Sequence, residues 1–271
     1  MKSVLITGGA SGLGLAMAHE YAAQGYKLCI ADMQVEQGQQ VVKDLNEKGA
    51  EAFFFELDVR SDEQWLSLHN EIAQRWKGLD VLINNAGVAA SGLIEEQSIV
   101  DWQWILDINV MGVVRGCKTF TPLMKKKEQG SIINIASMAG LLHGASMSAY
   151  NVSKASVVAL SETLRIELES WNISVSVVCP AFFKTNLTDN MRTNNPGVKK
   201  AVDNWMKTSG IQAEDIARMV YLGMEKQQFF ILTHRREKML WWVKRLSPNL
   251  LFRLMIKATR IQLKRTGGDI K

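Results

Sequence analysis

Residues 3–14 read SVLITGGASGLG, a β-branched run that breaks into a glycine turn and passes straight into the helical stretch LGLAMAHEYAAQ. A strand ending in glycines that open a helix is the first unit of a doubly wound sheet. The glycines let a ligand approach the backbone, and the helix N-terminus offers unpaired N–H groups and a positive dipole end to a pyrophosphate. A turn of purely structural purpose would look similar, so the rest of the chain has to decide.

The alternation continues. KLCIAD leads into VEQGQQVVKDLNEK, EAFFFELDV into DEQWLSLHNEIAQRW, and LDVLINNAG into a long stretch from Asp101 to Lys127. GSIINIAS, the helix holding Tyr150, ISVSVVCP, AEDIARMVYLGME and FFILT complete it. Seven strands separated by helices imply a three-layer parallel sheet, because parallel neighbours need crossover connections. With no repeat or low-complexity linker, residues 1–234 read as one domain.

Of the 271 residues 47% are hydrophobic and 22% charged, enough for one large globular domain. No run of about 18 apolar residues is present, and MKSVLIT meets the glycine turn too soon to form a signal-peptide core. A cytoplasmic location is the expectation. Cys29, Cys117 and Cys179 form no CxxC pair, and His19, His69, His143 and His234 lack metal-ligand spacing. No metal is expected, so the chemistry needs an organic cofactor.

The second strand ends in Asp32, twenty residues beyond Gly12, where a carboxylate accepts hydrogen bonds from adenosine ribose hydroxyls. It also repels a 2′-phosphate. The glycine turn holds no Lys or Arg, and Met33 and Gln34 follow Asp32. NAD(H) is therefore expected over NADP(H); a helix N-cap role for Asp32 is compatible with this.

TGGASGLG, Asn84-Asn85-Ala86-Gly87 and Tyr150-Asn151-Val152-Ser153-Lys154 together resemble the glycine, NNAG and YxxxK motifs of the short-chain dehydrogenase/reductase family, over residues 3 to about 234. The resemblance implies a Rossmann-like fold and, residue by residue, a cofactor site. Gly8, Ser11, Gly12, Leu13 and Gly14 would cradle the pyrophosphate, and Asp58 and Val59 would hold adenine. Asn85, Ala86 and Gly87 would line the ribose, and Pro180 through Thr185, with Phe183, would cover the nicotinamide. The family's Pro-Gly after the sixth strand is Pro180-Ala181 here, and alanine lacks glycine's freedom at positive φ.

Asn109, Ser137, Tyr150 and Lys154 resemble the family's catalytic tetrad. Oxidising an alcohol requires removal of its hydroxyl proton as hydride leaves, and reduction the reverse. A tyrosine with pKa about 10 is a weak base, but an ammonium at about 4 Å contributes roughly 4 kcal/mol, enough to bring Tyr150 close to 7. Lys154, four residues on, lies on the same helix face and could also hydrogen-bond the nicotinamide ribose, fixing the cofactor beside Tyr150, so both are expected to touch the cofactor. Ser137 would donate to the substrate oxygen. Asn109 would interrupt its helix and hold a water linking Lys154 to solvent, as the resemblance suggests.

MAGLLHGASMSA and the segment from Phe182 to Gly210 are expected to form the substrate walls. Met138, Leu141, Leu142, Met147, Phe182 and Phe183 suggest an apolar pocket for a steroid-, retinoid- or long-chain-like alcohol or ketone, with His143 beside it. Residues 235–271 form a basic extension, with eleven Lys or Arg against two acids, while the body is mildly acidic. Arg253, Lys257, Arg260 and Lys264 fall in one helical stripe, and Leu251, Leu254, Met255, Ala258 and Ile261 in the remainder. Residues 239–265 thus read either as an interfacial membrane helix behind Trp241 and Trp242, or as a helix packed on the domain or a partner.

The expected activity is NAD(H)-dependent interconversion of a secondary alcohol and ketone, with 3-oxoacyl-thioester reduction as the rival and a non-catalytic dinucleotide sensor as the alternative of another class. The resemblance implies a homodimer through the helices of Asn109 and Tyr150, with a tetramer in doubt where the tail covers the second interface. Nucleic acid is not an expected partner.

Overall fold

A computed structural model describes residues 1–185, 191–193, 197, 202, 204, 206 and 208–266, with side chains up to residue 260. The expected wall segment 182–210 therefore lies partly outside the described residues, as do the side chains of Ile261 and Lys264.

The seven strands are β1 (Ser3–Thr7), β2 (Lys27–Asp32), β3 (Glu51–Glu56), β4 (Val81–Asn84), β6 (Gly130–Ile135), β7 (Ile173–Cys179) and β9 (Phe230–Leu232). All pair in parallel, in the order β3-β2-β1-β4-β6-β7-β9. The order reverses between β1 and β4, so their carboxyl ends open the crevice where ligands bind in such sheets. Two further short strands, β5 (Ala90–Ser91) and β8 (Arg192–Thr193), pair apart from the main sheet.

Strand alternation sends Val4, Ile6, Leu28 and Ile30 to one face and Leu5, Cys29 and Ala31 to the other. The first face is covered by α1 (Gly12–Ala23), α2 (Val35–Glu47) and α7 (Ala213–Glu225); the second by α3 (Asp62–Trp76), α5 (Gly112–Lys127) and α6 (Ser148–Leu168). A buried polar chain fixes α6 to the sheet: Asn84 Nδ2 donates to Asn134 Oδ1 at 2.8 Å, and Asn134 Nδ2 to Ser161 Oγ at 3.0 Å. All three cysteines are buried free thiols, and burial pushes Cys117 and Cys179 up to about 12.

Between α4 (Ile99–Leu106) and α5 the helix widens into a π-helical turn, Asp107–Met111, which holds Asn109. After β9 come α8 (Arg235–Leu246) and α9 (Pro248–Thr266). Trp241 of α8 packs on Phe230 of the edge strand, ring centroids 5.2 Å apart. No described helix is long and apolar enough to cross a membrane.

Candidate active site

The glycine turn is stapled from two sides. Gly8 N–H donates to Ala31 O at 2.8 Å and Ala10 N–H to Asp32 Oδ2 at 3.0 Å, while Asn85 Nδ2 donates to the carbonyls of Thr7 and Gly8. Thr7 Oγ1 accepts from the backbone of both Asn85 and Ala86. Gly8 and Gly12 sit at φ 63° and 52°, and a methyl group on Gly14 would stand 2.0 Å from the Gly8 carbonyl oxygen. Only glycine fits there. Ser11, the N-cap of α1, makes no side-chain cap bond to the helix, and Leu13 is buried in the core.

An anion-accepting helix end, a left-handed glycine turn and a carboxylate at the end of β2 fit a dinucleotide. Asp32 Oδ1 accepts from Gln34 N–H at 3.1 Å, and Gln34, not Asp32, is the N-cap of α2. The Asp58 carboxylate is held by Arg60, at 2.6 Å from Nη2, which keeps it below the usual carboxylate range. Val59 packs its buried side chain in the core and accepts from Trp65 Nε1 at 3.0 Å.

At the other end, four elements meet. Ser137 follows β6; its Oγ accepts from Ala139 N–H at 3.1 Å and is hydrogen-bonded to Tyr150. Lys154, one turn after Tyr150 on α6, donates from Nζ to Ile135 O at 3.0 Å. Asn109 Oδ1 accepts from Val88 N–H at 2.8 Å, and its Nδ2 donates to Val88 O and Ser153 Oγ. A methyl group on Gly87 would lie 3.1 Å from Asn109 Oδ1 and 3.4 Å from Lys154 Nζ, so NNAG and the tetrad adjoin.

Two sequence expectations change here. The Tyr150 pKa is raised by burial, with the Ser137 hydrogen bond a smaller opposing effect, instead of falling toward 7. Lys154 lies 5.9 Å from the ring centroid, and burial brings its own pKa down to about 8. Asn109 does interrupt its helix, and its side chain is engaged with protein on both sides.

The family model for short chain dehydrogenases matches residues 2–196. The chain belongs to the short-chain dehydrogenase family. It is 32% identical to a CLA biosynthesis dehydrogenase/reductase of Lactiplantibacillus plantarum over 86% of this chain and 88% of that one. It is 35% identical to a 3-alpha-(or 20-beta)-hydroxysteroid dehydrogenase of Mycobacterium tuberculosis over 69% and 71%. Among solved structures, a short-chain dehydrogenase/reductase of Burkholderia phymatum in complex with NAD superposes with a TM-score of 0.87 and 32% identity, covering 92% of this chain and 94% of that one. The short-chain dehydrogenase described here is thus an oxidoreductase with a dinucleotide-binding fold.

Tyr150 also sits in a satellite cluster with Ala89, Ala90, Ile105, Ala149 and Met191. Met147 packs on this cluster, and a cleft of about 360 Å³ shares Ala90 and Met191 with it, its other walls being polar, among them Glu96, Gln97, Asp101 and Arg192. Of the residues expected as pocket or nicotinamide walls, Met138, Leu141 and Phe183 are buried in the two main core clusters, and Leu142 packs on one of them. Phe182 is exposed, and a methyl group on Gly12 would reach Thr185 Oγ1 at 3.0 Å, so the loop after β7 comes down on the glycine turn.

That loop is clamped by a residue the sequence did not single out. His234 Nδ1 accepts from Ala181 N–H at 3.2 Å and lies 2.7 Å from Thr233 Oγ1, while Nε2 is 3.1 Å from Phe182 O, where it donates. Ala181 has no positive φ, so the missing glycine leaves no strain. His143 lies between Gly140 O and Lys244 Nζ of α8, and Lys244 also donates to Leu141 O at 2.6 Å. Burial, and secondarily the Lys244 charge, lower the His143 pKa.

Proposed function

We propose that this dehydrogenase interconverts a secondary alcohol and a ketone on a lipophilic substrate, using NAD(H) in preference to NADP(H). The observation that carries this is the convergence of Ser137, Tyr150 and Lys154 beside Gly87 at the carboxyl end of the sheet, on the crevice the glycine turn opens. Asp32 supports the cofactor preference, since its carboxylate stands at the end of β2 with exposed Met33 beside it and no cation in the turn. The apolar cluster around Tyr150 supports the lipophilic substrate.

When bound, the nicotinamide supplies or accepts the hydride. The protein's own groups do the rest. The α1 N-terminus and glycine turn would hold the pyrophosphate, and Asp32 would accept from the ribose hydroxyls. Ser137 donates to the substrate oxygen as charge develops on it, and Tyr150 transfers the proton. A tyrosine whose burial favours the phenol starts in the form that donates its proton to the substrate oxygen in reduction. Alcohol oxidation needs the phenolate and should gain as pH rises. Lys154 positions Tyr150 and adds its charge when protonated.

A cytoplasmic homodimer through α5 and α6 goes with this reading, supported by the exposed apolar side chains of Met111, Val152 and Ile166 in that region. The test is NADH fluorescence with sterols, retinoids, long-chain alcohols and acyl thioesters as substrates. Tyr150→Phe is expected to cut turnover by about 10²–10⁴ while leaving NADH binding in place; near-normal turnover would refute the assignment.

A further inference from the structure

The helix α8 has two working faces. One is closed on the domain: Trp241 is buried against Phe230, and Lys244 reaches the loop of Leu141 and His143 beside the site. On the opposite face Met239, Trp242 and Leu246, spaced i, i+3 and i+7, are 69%, 49% and 82% exposed. Arg245 lies over the rings of Trp241 and Trp242, 5.1 and 5.9 Å from their centroids.

Helix α9 continues the pattern. It packs on α8, with Leu251 buried, and turns out Arg253, Lys257 and Arg260 as one exposed stripe. Phe252 and Ile256 stand exposed on one side of this stripe, Leu250 and Leu254 on the other. Burial on the domain accounts for one face of each helix and leaves the other without an apolar covering among the described residues.

We propose that the α8–α9 arm docks the enzyme on an anionic phospholipid surface. Its charge selects that occupant. Among residues 235–266, Glu237 is the only acid against ten Lys or Arg, so a second copy meeting this face through its own would set like charges together. Anionic headgroups complement the cations, exposed Trp242 suits the interfacial zone, and Met239 and Leu246 insert beneath it. No described helix can span, so the association is peripheral. Lys244, on the domain side of α8, then holds the loop of Leu141 and His143 about one helix diameter, ~10 Å, from the bilayer. Only the consequence for entry of a lipophilic substrate rests on the function proposed above; the docking does not.

The experiment is flotation of the full chain with vesicles of phosphatidylcholine alone, or with about one-third phosphatidylglycerol. Binding to the anionic vesicles should be about tenfold stronger or more, and weakened by salt. The double variant Trp242→Glu, Leu246→Glu and the triple variant Arg253→Gln, Lys257→Gln, Arg260→Gln should each lose about tenfold. Both change only exposed positions, so NADH binding should stay intact in each. Equal flotation on both vesicle types, or variants that float like the parent, overturns the proposal. So does a double variant that lowers the oligomeric state in sedimentation while vesicle binding is unchanged, which would assign the face to another copy. Flotation needs no turnover, so a protein that floats but is inactive on every alcohol and ketone counts against the proposed reaction alone.

Discussion

The two ends of the crevice are built on opposite principles. At the glycine turn it is the backbone that is held, by Asp32, Asn85 and its own neighbours, and the glycines matter because they lack side chains: Gly14 faces the Gly8 carbonyl where no carbon fits. At the reactive end, polar side chains are buried against their own preference. Lys154 is 5% exposed and its ammonium is disfavoured. Substitution at the first end should therefore cost stability, whereas substitution at the second should cost activity and return stability.

Gly14→Ala tests the first half. A methyl group 2.0 Å from a backbone oxygen forces α1 off β1, for an expected loss of about 3 kcal/mol in denaturant unfolding together with most NADH binding. Unchanged unfolding would break the comparison at once.

Lys154→Met tests the second half. The folded pKa is about 8 against an ordinary 10.5, so burying the charge costs about 3 kcal/mol below pH 8. Between pH 8 and 10.5 the unfolded chain binds more protons than the folded one, so wild-type stability should rise across that window. Lys154→Met is expected to abolish turnover, raise the melting temperature at pH 7 and remove that rise. A variant no more stable than its parent would show that the Ile135 hydrogen bond offsets the burial.

Asp32→Asn is the smallest change and sharpens the cofactor end. Removing the charge should reduce the preference for NAD over NADP about tenfold in kcat/KM, with stability little altered because an amide oxygen still accepts from Ala10 or Gln34.

The large sheet was legible in the sequence because each of its seven strands is a distinct apolar run between amphipathic helices. The β5–β8 pair was not: Ala90-Ser91 and Arg192-Thr193 are two residues each, too short for any period, and are held by Ser91–Thr193 and Arg192–Asp101 contacts from distant parts of the chain. Asn109, Ser137, Tyr150 and Lys154 come together from local motifs, yet the Tyr150 titration was misjudged. Pairwise attraction can be estimated from spacing, but the desolvation that raises the Tyr150 pKa depends on packing by neighbours such as Ile105, Ala149 and Met191. His234 carries no motif, and its grip on the loop after β7 arises only where β9 joins the sheet.

The π-helical turn at Asp107–Met111 also keeps time for the helix that follows. One residue more than an α turn needs rotates everything after it by about 100°. With that offset Val113, Cys117, Phe120 and Met124 line up on the core. A single-residue deletion between Asp107 and Met111 would let an ordinary helix run straight through. It would also swing that apolar row toward water, so the irregularity that places buried Asn109 beside Val88 and Ser153 and the phase of a sixteen-residue helix are inherited together.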